Sequence, residues 1–190
     1  MTRSGTTTTT APCSGPASPT ASIDAPNRAR GSPDHAVRLR LLALHPLTGD
    51  LPAGWLRRLA PHARPVYRRA GHRLTRQDTP AEQFWLLHSG TVVIDLHVPG
   101  RGDVVLEELG AGTTVGWSWL VAPYRWQFGA VVTDDIRALE FNAAGIRALI
   151  AENDELGREL SARFLSVVAD RLRTARHRLV GLYAYPADTT

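Results

Sequence analysis

The sequence contains no lysine: all 22 basic residues are arginine, set against 18 acidic ones, for a formal net charge of +4. Arginine and lysine are not interchangeable at a bidentate site, yet the total absence of one reads as composition before function. So mild a positive charge accommodates an anionic ligand or partner without requiring nucleic acid. Cysteine is limited to Cys13, which excludes an intramolecular disulfide and a cysteine-built zinc site and fits a reducing cytoplasm. No apolar run nears the ~18 residues of a spanning helix. Met1, Thr2 and Arg3 lead into Ser, Gly and Thr with no signal-peptide core. A cytoplasmic chain that does not enter a membrane is expected. Catalytic motifs are missing as well: there is no G-x-S-x-G elbow and no Walker-type phosphate loop. The seven histidines show no paired ligand spacing, so no metal site, no cofactor and no enzyme activity are expected.

What is present changes texture along the chain. Residues 1–36 are Thr, Ser, Pro, Ala and Gly, with the Thr6–Thr10 run and Pro12, Pro16, Pro19, Pro26 and Pro33. Such a stretch buries too little apolar surface to offset its ordering entropy and reads as a disordered tail. Helix is expected over 37–60, with Val37, Leu41 and Leu44 recurring at helical spacing, an interruption at Pro46 and a second start near Pro52.

From Ala63 to Phe141 short β-favouring segments follow one another at 65–68, 73–76, 84–87, 91–98, 104–109, 127–133 and 136–141. Each is bounded by turn chemistry, and Pro99-Gly100-Arg101-Gly102 is the strongest hairpin signal. Many short, evenly spaced strands argue for an antiparallel sandwich or barrel. Glu107 and Glu108 are adjacent on a strand and point to opposite faces, so they are read as solvated surface.

Helix returns at the C-terminal end. Asn142 is placed to cap a short helix carrying Ile146, Leu149 and Ile150, and Asn153 or Asp154 to cap a long one. In the long helix Leu165, Val168, Leu172, Ala175, Leu179 and Leu182 step by 3, 4, 3, 4 and 3. That is an a/d seam, expected to pair with a second copy over 154–182 as a homodimer. Arg163, Arg171, Arg173, Arg176 and Arg178 fall on its polar face. Residues 183–190 are read as a C-terminal tail.

The order of helix, short strands, short helix and long helix resembles the cyclic-nucleotide-binding superfamily, the effector domain of catabolite-activator and FNR-type regulators. The likeness covers about residues 44–180. It is carried by His45-Pro46-Leu47, Tyr67 with Gly71, Gln77-Asp78, Phe84 to Gly90, Leu109-Gly110-Ala111-Gly112, Gly116, and Ala130 to Phe141. The resemblance implies an α+β fold: an antiparallel β-roll or jelly roll flanked by helices, occupying 37–182, with a long C-terminal helix. It also implies a phosphate-binding cassette over 112–130. A Gly-rich turn would bring N–H groups to a phosphate, an arginine would pair with it, and a glutamate would accept from the ribose hydroxyl.

Gly112 and Gly116 match the turn and Arg125 the arginine, while Trp117 stands where the family has its glutamate. An indole donates one hydrogen bond and accepts none. The expected ligand set is Gly112, Gly116, Trp117, Ser118, Tyr124, Arg125, Trp126 and Gln127, with Trp119 beside it. Three readings remain open. The rings form an aromatic pocket with one arginine, suited to a planar or apolar anion; or they fill the space and the chain is a protein-interaction module; or the domain is a cyclic-AMP sensor. A helix-turn-helix often follows this domain in relatives. Thr190 comes about ten residues after the long helix, so direct DNA binding is not expected and a stand-alone regulatory domain with an unidentified protein partner is.

Overall fold

The computed structural model describes residues 33–184; most of the expected N-terminal tail and the last residues of the C-terminal tail lie outside the described residues. Four α-helices, one 3-10 turn and six strands are described: α1 (Pro33–Leu44), α2 (Ala53–Leu59), the turn Ala60–His62, β1 (Ala63–Arg68), β2 (Arg73–Thr75), β3 (Gln83–Val98), β4 (Gly102–Leu109), β5 (Thr114–Val115), β6 (Gly129–Asn142), α3 (Ala143–Glu152) and α4 (Asp154–Ala184).

α1 begins inside the stretch read as tail. Its buried residues are His35 and Leu42, with Leu39 and Leu41 partly buried against the core, while Val37 and Leu44 are exposed. The reason is tertiary. α1 lies on the 3-10 turn, β1 and β6, and residues 35, 39 and 42 share the side that meets them.

All strand pairs are antiparallel, in the order β1-β6-β3-β4, with β2 also on β6 and β5 on β3. The hairpin at Pro99 closes as expected, with Val98 opposite Gly102. Two expected breaks are bends instead. Segments 84–87 and 91–98 fuse into β3, and 127–133 and 136–141 into β6; the register slips at Leu87, Ser89 and Thr91. Gly90 makes the bend possible: its φ is +81°, and a Cβ there would stand 2.2 Å from the Asp135 carbonyl oxygen. Both long strands turn this corner together and pair on either side of it, which rolls the sheet over its own core.

That core holds Phe84, Leu86, Leu87, Ile136, Leu139 and Phe141, closed by Ile146 of α3 and by Leu156, Leu160 and Phe164 of α4. Capping follows the expectation. Gly145 N–H donates to Asn142 Oδ1 at 2.7 Å, and Leu156 N–H to Asn153 Oδ1 at 2.8 Å. Asp154 and Glu155 add negative charge to the first turn of α4, where the helix dipole favours it.

Candidate functional site

The expected cassette is an irregular connection between β4 and β6, tied down by β5. Gly112 and Gly116 have φ of +80° and +91°, so both do the conformational work expected of them. The N–H groups of the first turn are already committed: Gly112 donates to Leu87 O at 2.8 Å and Thr113 to Gly110 O at 3.3 Å. Leu87 N–H returns to Thr113 O at 2.9 Å, which seals this turn onto β3.

The aromatic residues of this connection part company. Trp119 is fully buried, stacked on Phe84 at 4.4 Å and edge-on to Phe164 at 5.1 Å. Trp126 is buried too, lying over Trp85 at 6.1 Å. Both indoles pack the core. Ser118, next to Trp119 in sequence, is buried as well. Tyr124, Arg125 and Gln127 are exposed. Tyr124 has a φ of +56° and lies under the Arg147 guanidinium at 4.5 Å. Arg125 bridges to Pro80 and donates from its guanidinium to the Asp78 carbonyl. Of the expected ligand residues Trp117 lines one cleft against α4 and Gly112 an adjoining one. The structure therefore does not bring Trp117, Tyr124, Arg125, Trp126 and Gln127 around one cavity; an aperiodic loop alternates between core and solvent with no pattern to read.

Two adjoining clefts lie between the roll and α4. The first, of about 270 Å³, is lined from the roll by Ile94, Leu106, Trp117 and Phe128, and from α4 by Val168, Leu172 and Ala175. The second, of about 430 Å³, is lined by Pro46, Leu109, Gly112, Thr113, Ser166 and Val167 among others. Glu107, Arg171 and Thr174 form the wall they share. Arg171 is 3.7 Å from Glu107 and donates to the Thr114 carbonyl; burial lowers its guanidinium's pKa and Glu107 pulls it back. Arg178 donates to the Leu106 carbonyl, and Arg163 holds Asp50, Glu159 and the Leu47 carbonyl. The polar face of the helix is thus engaged: Arg171 and Arg178 contact the roll, and Arg163 the segment between α1 and α2.

Glu107 and Leu106 were missed as site residues because of a bulge. Ile94 pairs with Glu107 and Asp95 with Val105, so Leu106 is left over, and both Leu106 and Glu107 reach the cleft. Alternation along a strand cannot foresee such an insertion. Chemically, the first cleft offers aromatic and aliphatic walls with arginines at the helix side, a setting for an apolar or planar group that carries a negative charge.

The expected seam divides in the described residues: Leu165 and Leu179 face solvent clear of both clefts, while Val168, Leu172 and Ala175 line the first cleft. Leu165, Leu172 and Leu179 are 68%, 50% and 51% exposed, about a third of a turn from the face of Leu156, Leu160 and Phe164. Val168 is half-buried and Ala175 exposed.

Residues 65–153 match the family model described as the cyclic nucleotide-binding domain. No curated protein matches the chain. Among solved structures, a cyclic nucleotide-binding protein of Geobacter metallireducens GS-15 is 22% identical over 69% of this chain and 95% of its own, with a TM-score of 0.63. A cyclic nucleotide-binding domain from Methylobacillus flagellatus KT is 18% identical over 77% and 83%, with a TM-score of 0.65. The sensor domain of the transcriptional regulator DNR from Pseudomonas aeruginosa is 22% identical over 73% and 93%, with a TM-score of 0.59. These likenesses establish the fold expected from the resemblance. Among the described residues no helix is long and apolar enough to cross a membrane.

Proposed function

We propose that this chain, whose residues 65–153 form a domain of the cyclic-nucleotide-binding superfamily, is a cytoplasmic regulatory sensor for a small planar or apolar anion rather than an enzyme. The observation that carries the reading is the cleft built half from the roll and half from α4. Trp117 and Phe128 offer rings on one side, and Val168, Leu172 and Ala175 close it from the other. Arg171 and Arg178, both already leaning on β4, are the groups to meet the charge.

The usual cyclic-nucleotide mode does not fit these residues. Trp117 replaces the ribose acceptor, Arg125 is turned to the Asp78 carbonyl, and the first-turn amides are spent. The sensing logic follows from the helix. Val168, Leu172 and Ala175 belong both to the cleft and to the heptad seam, so a ligand that prefers one seating of α4 biases homodimerisation, and a protein partner reads the change. Such coupling requires differential affinity for the two states and is reciprocal.

The second reading, a protein-interaction module with no ligand, rests on Trp119 and Trp126 being core rings. A thermal-shift panel on the full chain separates the two, using cyclic AMP, cyclic GMP, other nucleotides and planar aromatic acids. A ligand at ~100 times its Kd adds about 2.7 kcal/mol, a rise of roughly 5–10 °C for a domain of this size. The sensor reading requires a rise that Trp117→Ala abolishes. A rise with cyclic AMP that survives Trp117→Ala would return the domain to the conventional class. No rise across the panel, together with Trp fluorescence that no compound alters, would favour the interaction module.

A further inference from the structure

A third cleft, of about 530 Å³, opens at the other end of the roll. Gln83 at the start of β3 lines it, whereas Ile94, near the far end of the same strand, lines the cleft under α4. It is bounded by Arg38 of α1, by Pro61, His62, Ala63 and Arg64, and by Glu140 and Asn142 of β6. No part of the sensing reading uses it.

Its electrostatics are unbalanced. Glu140 is 5% exposed and its carboxylate is heavily committed. Oε1 accepts from Arg64 Nε at 2.7 Å, and Oε2 accepts from Arg68 at 3.1 Å and from Trp85 Nε1 at 3.1 Å. That network freezes the Arg64 guanidinium at the rim, where its side chain is 66% exposed. Across the cleft, Arg38 Nε is buried with no acceptor among the described residues. An orphaned buried donor is costly, more so on a guanidinium that cannot shed its charge. Among the side chains that line the cleft, Arg38 and Arg64 stand against the one carboxylate of Glu140, which Arg68 also binds from outside the lining. The lining carries a surplus of one positive charge. Asn142 has its Oδ1 engaged by Gly145 N–H, which leaves its NH2 as the group it can offer.

We propose that this cleft binds a small phosphate ester, with the phosphoryl group between Arg38 and Arg64. A phosphomonoester carries about −1.5 to −2 charges at neutral pH and three acceptor oxygens, which is opposite in sign to the surplus and supplies the acceptor that Arg38 Nε lacks. Planar guanidinium forks suit that geometry. The amides of Gln83 and Asn142 and the His62 ring flank the phosphate with groups that can bond the hydroxyls of its ester. A cleft of this volume falls in the range of small-molecule sites.

Titration calorimetry of the full chain with inorganic phosphate, at ionic strength held constant with chloride, tests the assignment. Saturable one-to-one binding is expected. Arg38→Gln leaves every bond to Glu140 in place, so the fold is retained, and binding weakens by about tenfold or more through loss of a charge-assisted contact. Arg101→Gln, on the exposed β3–β4 hairpin, leaves the affinity unchanged. Phosphate heats that do not saturate, or an affinity that Arg38→Gln leaves intact, would overturn the site. Circular dichroism of the Arg38→Gln protein confirms that any loss is local.

Discussion

Trp126 lies across the bare Cα of Gly116: a Cβ at 116 would stand 2.6 Å from the indole ring. The ring cannot retreat. It stacks on Trp85, and the Trp126 backbone is pinned on both sides: its amide N–H donates to the Thr79 carbonyl at 2.9 Å, and its carbonyl accepts from Asp78 N–H at 2.8 Å. Gly116 also has a φ of +91°, which side chains resist. Gly116→Ala is therefore expected to destabilise the domain by about 2 kcal/mol or more through backbone strain and overpacking together. The midpoint of urea unfolding reads this directly, and a change under about 0.5 kcal/mol, the ordinary surface range, would contradict it.

The same pair shows where sequence reasoning succeeded and where it stopped. Gly112 and Gly116 were legible as left-handed turn positions, because that need is local and glycine meets it at least cost. Asn142 and the Pro99–Gly102 hairpin were legible for the same reason. Gly90 was legible as a break in pairing but not as a bend within it: only the approach of Asp135 from β6 decides between the two, and that approach is tertiary. The tryptophans were visible as a cluster, yet Trp117 faces a cleft while Trp119 and Trp126 face the core. In a loop without a period, neighbours in sequence carry no common direction. The docking of Arg171 on the roll was not legible, because a helix seam can be counted from the sequence, whereas which side of it meets the roll cannot.

Arg171 is expected to act as the latch of α4. It joins the helix to Glu107 and to the Thr114 carbonyl, while the helix beyond Phe164 buries little else. Arg171→Ala leaves Glu107 half-buried without its cation, which disfavours the packed position. Hydrogen exchange should quicken across 165–184 and stay slow across 154–164, where Leu156, Leu160 and Phe164 remain buried. Uniform exchange along the whole helix, or no change beyond 165, would show that the latch lies elsewhere.

Leu165 and Leu179 belong to the heptad seam but line neither cleft beside α4. Their exposure of 68% and 51% in the single chain means that charge at these positions costs little within the monomer. The double variant Leu165→Asp, Leu179→Asp is expected to be a folded monomer, while the parent chain sediments as a dimer with a concentration-dependent midpoint of unfolding. A parent chain that sediments as a monomer at every concentration would sink the seam as an interface.

His45 predicts the acid limb of stability. It is buried where the chain leaves α1, and it fastens that segment to the cassette turn. Its Nδ1 accepts from Leu47 N–H at 3.1 Å, and its Nε2 lies 3.2 Å from the Thr113 carbonyl. A carbonyl only accepts, so Nε2 carries the proton, Nδ1 is bare, and the neutral ring satisfies both partners. Burial lowers its pKa from 6.5 to about 4, with a smaller push in the same direction from His88, whose ring lies edge-on at 5.5 Å. The unfolded chain therefore takes up a proton near pH 6.5 that the folded chain refuses until about pH 4. Stability is complete above pH 6.5 and is lost as the pH falls toward 4. The loss reaches roughly 3 kcal/mol, since each pKa unit is worth about 1.4 kcal/mol. Below pH 4 both states are protonated and His45 contributes no further slope. Urea midpoints measured at intervals between pH 7.5 and 4 on the parent chain and on His45→Gln resolve this: the variant is less stable at pH 7.5, and its midpoint falls less steeply across that window. Parallel curves for the two proteins would show that His45 is protonated at no cost to the fold, and that the contact between the segment after α1 and Thr113 does not depend on the neutral ring.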